Sequence, residues 1–357
     1  MKYKLKALAI LFSIPFVALV AFKTQSVTAQ TKVETAGQKF KNIKVLNDMP
    51  ADQLGKVMNI AAASLGVKCD FCHVPDQWAK DEKKPKATAR EMMKMMFEIN
   101  KNHFKGRPEV TCNSCHNGRE QPQNVANLMP VASDERPKQP DTKPTADQII
   151  DKYLTALGGT AKLATVTSLQ ISATRVEPDG KTEPETISFK TNKYAAATTY
   201  GKFVVAEGYD GTAAWKRSDH TINLKADESE QIKREAELFS PANLKAIYTK
   251  MDFRFVDRID AREVNVVTAT TAGGVRECLA FDVQTGLLVR RSAATQTVFG
   301  NFIYQVDYAD YKAVGGVKMP MTFKYSMPGI RWTRKIVKVK VNAPVDDSKF
   351  KAPDGSN

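Results

Sequence analysis

The sequence predicts two domains, a small all-α domain followed by a larger antiparallel β half-barrel of the α+β class. Three observations predict it. The pentapeptide Cys-x-x-Cys-His occurs twice, as Cys69-Asp70-Phe71-Cys72-His73 and Cys112-Asn113-Ser114-Cys115-His116, within a stretch of helical periodicity over residues 40–119. A proline-rich stretch with little apolar periodicity follows. Beyond residue 146, short alternating apolar runs recur between turn signals. At 357 residues the chain also exceeds what one core usually holds.

At the N-terminus, Lys2, Lys4 and Lys6 precede an apolar run over residues 7–22, then Lys23 and a polar stretch ending Val27-Thr28-Ala29-Gln30. This order of basic, apolar and small-residue segments predicts a signal peptide over residues 1–29. The run of 16 residues falls short of the ~20 that span a bilayer. An uncleaved inner-membrane anchor is the alternative. No cysteine precedes Cys69, which excludes a lipid-bearing cysteine at the end of the signal.

The helical region is expected at about 38–120. Pro50-Ala51-Asp52 opens a helix with Leu54, Val57, Met58, Ala61 and Leu65 on one face and Gly66 as its stop. A charged loop over 80–86, holding Pro85, precedes a second helix over 88–103 on which Met92, Met95, Met96 and Ile99 share a face. Each helix leads toward one cysteine motif.

Cys-x-x-Cys-His is the pattern of covalent c-type haem attachment: two thiols form thioethers and the histidine binds iron. The two copies use four of five cysteines and two of four histidines. A four-cysteine zinc ribbon is the main rival, although a ribbon needs no histidine after both pairs. Redox thiols would call for a thioredoxin-like βαβ pattern, and neither copy has one. The reading is two covalent haems c, on Cys69 and Cys72 and on Cys112 and Cys115, with His73 and His116 as proximal iron ligands. Because c-type haem is attached outside the cytoplasm, the expected location is the periplasm. A low-spin iron takes a second ligand, and a thioether there raises its potential relative to imidazole. Met58 is the candidate for the first haem. Met92, Met95 and Met96 are the candidates for the second, with His103 and Met129 as weaker ones. Arg90, Arg107 and Arg119 are candidates to pair with propionates.

These residues resemble the cytochrome c subunit of photosynthetic reaction centres. The resemblance is carried by Met58 and Gly66-Val67-Lys68 before the first motif. It is carried again by Ala89-Arg90-Glu91-Met92, Met95-Met96-Phe97-Glu98-Ile99-Asn100 and Val110-Thr111 before the second. It covers about residues 38–120 and matches one pair of that family's four haems. It implies Met58 and Met92 as distal ligands. The loop after Asn100 is shorter than in that family, so Met95 and Met96 stay open as substitutes for Met92.

Residues 121–145 read as a linker, with Pro122, Pro130, Pro137, Pro140 and Pro144, expected to hold its neighbours apart. Residues 146–350 read as the β domain: a helix over 146–157 closed by Gly158-Gly159, a helical charged segment over 226–250, and about a dozen strands. This part resembles the periplasmic outer-membrane lipoprotein carrier and sorting proteins. The resemblance rests on Leu157-Gly158-Gly159, Gly208-Tyr209-Asp210-Gly211, Phe281-Asp282-Val283-Gln284-Thr285-Gly286-Leu287 and Gly315-Gly316-Val317-Lys318-Met319-Pro320. It implies an apolar cavity for an acyl chain between a curved sheet and helices. His220 reads as an exposed loop residue and Cys278 as a buried, inert thiol. Arg331, Arg334, Lys335, Lys338 and Lys340 read as a solvated or edge-protecting strand, or a surface for acidic lipid.

The net charge of +14 divides as +4 in residues 1–30, +5 in 31–145 and +5 in 146–357. Haem propionates would offset the second share, and no groove-reading motif is present, so nucleic acid is not an expected partner. No catalytic residue set appears, which argues against an enzyme. The function read from sequence is a periplasmic dihaem cytochrome passing electrons between redox partner proteins, with a membrane surface or lipid as further partner of the β domain. The alternatives are a redox-sensing lipid- or lipoprotein-binding protein and a haem peroxidase-type enzyme.

Overall fold

Gly66 stops the first long helix with its backbone at φ 68°, a left-handed cap that glycine adopts without a β-carbon penalty. That helix, α2 (Leu54–Leu65), follows a short α1 (Ala36–Lys39) and a 3-10 turn (Ala51–Gln53). After it come α3 (Cys69–Cys72), α4 (Lys84–His103) and α5 (Cys112–His116). The computed structural model describes residues 33–122 and 137–352, apart from 219, 220, 223, 225, 239, 240, 242 and 243. The predicted signal at 1–29, Met129 and His220 lie outside the described residues. Between 33 and 122 the described regular elements are helical. Helix α4 begins four residues before the expected Thr88, because Pro85 sits in its first turn, where a missing N–H breaks no helical hydrogen bond.

Thr145 starts α6 (Ala146–Ala156) with a capping box: its Oγ1 accepts from the Gln148 backbone N–H at 3.2 Å, and its own N–H donates to Gln148 Oε1 at 2.9 Å. A short α7 (Thr160–Ala164) follows. Six strands come next, β1 (Ser168–Val176), β2 (Thr182–Lys190), β3 (Lys193–Tyr200), β4 (Phe203–Tyr209), β5 (Ala214–Arg217) and β6 (Thr221–Ile222). Helices α8 (Ala226–Leu238) and α9 (Leu244–Ile247) interrupt them. The chain resumes with β7 (Tyr248–Ile259), β8 (Arg262–Thr271), β9 (Arg276–Asp282), β10 (Leu288–Thr297) and β11 (Gly300–Ala309). It ends with β12 (Lys312–Val314), β13 (Val317–Met319), β14 (Thr322–Met327) and β15 (Ile330–Val341). The expected helical segment stops short of 250: β7 already begins at Tyr248 and runs well beyond the short strand expected at Phe253.

Thirteen of these strands form one antiparallel sheet among the described residues, in the order β6-β5-β4-β3-β2-β1-β15-β14-β11-β10-β9-β8-β7. Its first and last strands meet in the middle, with Ile171 opposite Val339. The basic stretch on β15 is therefore central, paired on both sides, and does not protect an edge. Alternation explains why Arg334 faces inward at 2 % exposure while Lys335 faces out, and a bulge at Val337, where the pairing skips from Ile336 to Lys338, turns Lys338 outward as well. The same alternation corrects Cys278, which is exposed because Glu277, Leu279 and Phe281 take the inner face of β9.

Helices α6 and α8 cover the inner face; Tyr153 of α6 packs on Phe281 with ring centroids 5.3 Å apart. The core there combines aromatic and aliphatic side chains with a buried ionic network. Arg334 donates to both oxygens of Glu185 at 2.7 and 2.8 Å and to the Tyr325 hydroxyl at 2.8 Å. Glu235 of α8 accepts from Tyr325 at 2.9 Å and lies 3.5 Å from Arg291, which pairs with Glu277 at 3.2 Å.

The proline-rich tether does not keep the two parts separate. Phe299 and Phe302, from the β10–β11 hairpin, share a buried cluster with Val57, Ile60 and Met96 of the helical part. Met327, at the end of β14, packs on the same cluster. The described end of the tether lies on edge strand β7, where the Gln139 amide exchanges two hydrogen bonds of 2.8 Å with the Val256 backbone.

Candidate functional site

Both cysteine motifs open into one cavity of about 1180 Å³, walled by α2, α3, α4 and α5. Drug-sized ligands occupy about 300–1,000 Å³, so the space exceeds that of one such ligand. Cys69, Cys72, Cys112 and Cys115 all line it as free thiols, and so do His73 and His116. Burial pushes the Cys72 and Cys112 thiols up from their ordinary range. No three histidine, cysteine or acidic side chains converge as a metal-binding group among the described residues.

The two histidines are held alike. His73 Nδ1 lies 3.1 Å from the Trp78 carbonyl oxygen, and His116 Nδ1 lies 3.0 Å from the Arg119 carbonyl oxygen. A carbonyl only accepts, so each Nδ1 carries a proton and donates it, which leaves Nε2 as the nitrogen turned away from the backbone. This is the arrangement that orients a metal-ligating imidazole. Burial holds His73 below its usual range against the pull of the Trp78 carbonyl, and Lys86, Arg90 and Lys83 add to the lowering. The residues present thus fit haem c: paired thiols, an imidazole oriented by a backbone carbonyl beside each pair, and room between them.

Sequence reasoning missed what shapes the two loops. Lys86 is 8 % exposed, and its ammonium donates to the Trp78 and Lys80 carbonyls at 2.8 and 2.7 Å. It thereby fixes the carbonyl that receives His73. Asp81 gathers Lys44, Lys86 and Arg90 at 2.9, 3.2 and 3.0 Å, and Arg90 and Lys44 hold its carboxyl well below the usual carboxylate range. At the second motif, Asn100 accepts from the Val110 N–H at 2.9 Å and donates to the Val110 carbonyl at 2.7 Å. It pins the run into Cys112 onto α4. A charged loop and an asparagine in a helix give no local sign of these roles.

Of the methionines, Met58 is half-buried, and Met92 and Met95 are 43 % and 46 % exposed on the cavity side of α4. Met96 is 5 % exposed and belongs to the core cluster. His103 is exposed at the end of α4 and does not line the cavity. Arg90 lines the cavity while bound to Asp81, Arg107 lies 3.6 Å from Glu109, and Arg119 is exposed.

In the sheet-bearing part, the apolar space beneath Tyr153, Leu157 and Leu163 measures about 50 Å³. A single water needs about 10–15 Å³ on this scale, so the space holds a few waters.

Residues 18–177 match the family of the photosynthetic reaction centre cytochrome C subunit. The chain is 30 % identical over 92 residues to the photosynthetic reaction center cytochrome c subunit of Thermochromatium tepidum, covering 24 % of this chain and 22 % of that protein. It is 32 % identical over 82 residues to cytochrome c-554 of Chloroflexus aurantiacus, covering 21 % of this chain and 20 % of that one. The chain thus spans about a fifth of the length of the curated relatives it matches. Among solved structures, a LolA superfamily protein from Nitrosomonas europaea aligns with 59 % of this chain and 99 % of its own, at 13 % identity and a TM-score of 0.42. No described helix is long and apolar enough to cross a membrane. The segment that carries both cysteine motifs is therefore similar to the reaction-centre cytochrome c subunits.

Proposed function

We propose that the chain is a periplasmic dihaem c-type cytochrome that transfers electrons between redox partner proteins. In this reading residues 1–29 are an export signal, 38–120 hold the haems, 121–145 tether, and 146–350 form a half-barrel docking module. The observation that carries it is the matched pair of histidines, each donating Nδ1–H to a backbone carbonyl at 3.1 or 3.0 Å beside a pair of free thiols in one cavity. Each bound haem would supply a one-electron couple.

Cys69 and Cys72 hold the first haem by thioethers, and Cys112 and Cys115 hold the second. His73 and His116 present Nε2 as neutral ligands, and the Trp78 and Arg119 carbonyls keep them oriented. Met58 serves the first haem. Met92 serves the second, with Met95 as its substitute one turn along the same exposed face. Met96 is the other substitute: it lines the same cavity, although its side chain also packs in the core cluster.

Intact mass of the exported protein tests the count, and two haem additions are expected. Absorption of the reduced protein with carbon monoxide tests the closed coordination, and no binding is expected. A colourless protein holding zinc through its thiols would overturn the reading. Lipid extraction from the purified protein should return no stoichiometric lipid, because an acyl chain would have to pry open the space beneath Leu157 and Leu163.

A further inference from the structure

The tip of the β10–β11 hairpin is unusual in composition and in placement. Two-residue hairpin turns are ordinarily polar, glycine-rich and exposed. Here Val298 and Phe299 form the turn, Thr297 pairs with Gly300, and Phe299 is 1 % exposed. Thr297 Oγ1 closes the turn by donating to the Gly300 carbonyl at 2.7 Å and accepting from the Phe299 N–H at 3.2 Å. The Phe299 ring lies 6.0 Å from that of Phe97 on α4. Its cluster includes Met96, and Met93, Met58 and Cys112 pack against it. On the other side, the Gly300 backbone approaches the methyl group of Thr111 so closely that a β-carbon there would lie 3.1 Å from it. Thr111 caps α5 directly before Cys112.

The hairpin therefore braces two walls of the second site. One is α4, whose rotation about its axis decides where Met92 points, since Met96, one turn along from Met92, lies in the hairpin's cluster and Met93 and Phe97 pack against it. The other is the entry into the Cys112 motif. We propose that Phe299 is a positioning residue for the second haem, by which the β part keeps the distal thioether in place and water out. The proposal rests on the reading that Cys112, Cys115 and His116 hold a haem. Axial-ligand placement and burial are both levers on a haem's potential. Losing the ring contact removes both, so the potential of that haem falls and its distal position opens.

The test is a series in the full-length holoprotein, Phe299→Met, Phe299→Leu and Phe299→Ala, read by redox titration, by carbon monoxide binding to the reduced protein, and by intact mass. Methionine and leucine keep most of the volume, so at least two variants retain the fold. Met92→His in the same protein marks which redox wave is the second haem's. The expected result is two haems in every variant, with carbon monoxide binding absent in wild type and in Phe299→Met. Binding should rise through leucine to alanine, up to one equivalent per chain. The marked wave should shift downward in the same order while the other stays in place. Variants that melt earlier yet keep both waves and bind no carbon monoxide would overturn the proposal. A wild-type chain lacking haem mass on Cys112 and Cys115 would instead overturn the reading beneath it.

Discussion

Gly66 and Gly118 touch through their backbones. A β-carbon on Gly66 would fall 2.2 Å from the Gly118 carbonyl oxygen, and the Gly118 N–H donates to the Ser64 carbonyl at 2.8 Å. The helix that leads into the first motif thus rests on the tail of the second, and the two sites are built as one unit. Gly66→Ala adds left-handed strain, worth about 1–3 kcal/mol, to a collision with immovable backbone. The expected outcome is a lower urea midpoint and incomplete attachment at both motifs, read as a mixture of masses.

Asn100→Leu should act on the second motif alone. The substitution removes both hydrogen bonds to Val110 and strands a backbone N–H and carbonyl in a partly buried place, at a cost of about 1–3 kcal/mol. Intact mass should show a fraction with one haem, and peptide mapping should find the vacancy at Cys112 and Cys115. Equal loss at Cys69 and Cys72 would refute a local effect.

Acid should loosen the first site through Asp81. Its folded carboxyl sits well below the ordinary carboxylate range because Arg90 and Lys44 bind it. A depressed acid contributes stability that is complete above its unfolded value of about 3.9 and drains away as pH falls below it. Stability should therefore decline from roughly pH 4 downward, and Asp81→Asn should flatten that decline while lowering stability at neutral pH. Denaturant titrations at pH 3 and pH 7 measure both arms.

Cys278 supplies a thiol count. It faces outward from β9, and burial by its neighbours still pushes its thiol up. With four cysteines consumed by haem, the native holoprotein should show one reactive thiol, slower than a free cysteine. Five equivalents in the native state would contradict haem attachment.

Arg334→Met should be far costlier than any surface change. The arginine is 2 % exposed, and its loss leaves Glu185 buried without a cationic partner, while Glu235 keeps Arg291 and Tyr325. Breaking such a pair costs about 3–5 kcal/mol. Removing the exposed Lys190–Asp347 contact should move the urea midpoint little by comparison. Replacing Arg334 and Glu185 together by Met and Leu should recover part of the loss in urea melts.

Local chemistry made much of this legible. The Gly66 stop, β1, β4 and β15 follow from helix punctuation, turn residues and alternation, and their bounds agree with the structure. The cysteine motifs announce themselves because thioether chemistry demands fixed spacing. Tertiary partners were not legible. Arg334 and Glu277 look like solvent-facing charges until the sheet supplies Glu185 and Arg291. Phe299 looks like strand filler until α4 arrives to bury it. The onset of β7 was hidden because Tyr248, Lys250 and Asp252 alternate with too little apolar contrast.

The ionic network also bears on how so wide a sheet finds its alignment. Thirteen antiparallel strands could zip together in many frames, and greasy side chains tolerate several of them. Sliding β2 or β15 by one residue would swing Glu185 or Arg334 to the outer surface and abandon the opposite ion inside. Each guanidinium therefore works as a ratchet tooth, because a misaligned frame is penalised by the unpaired ion it leaves inside.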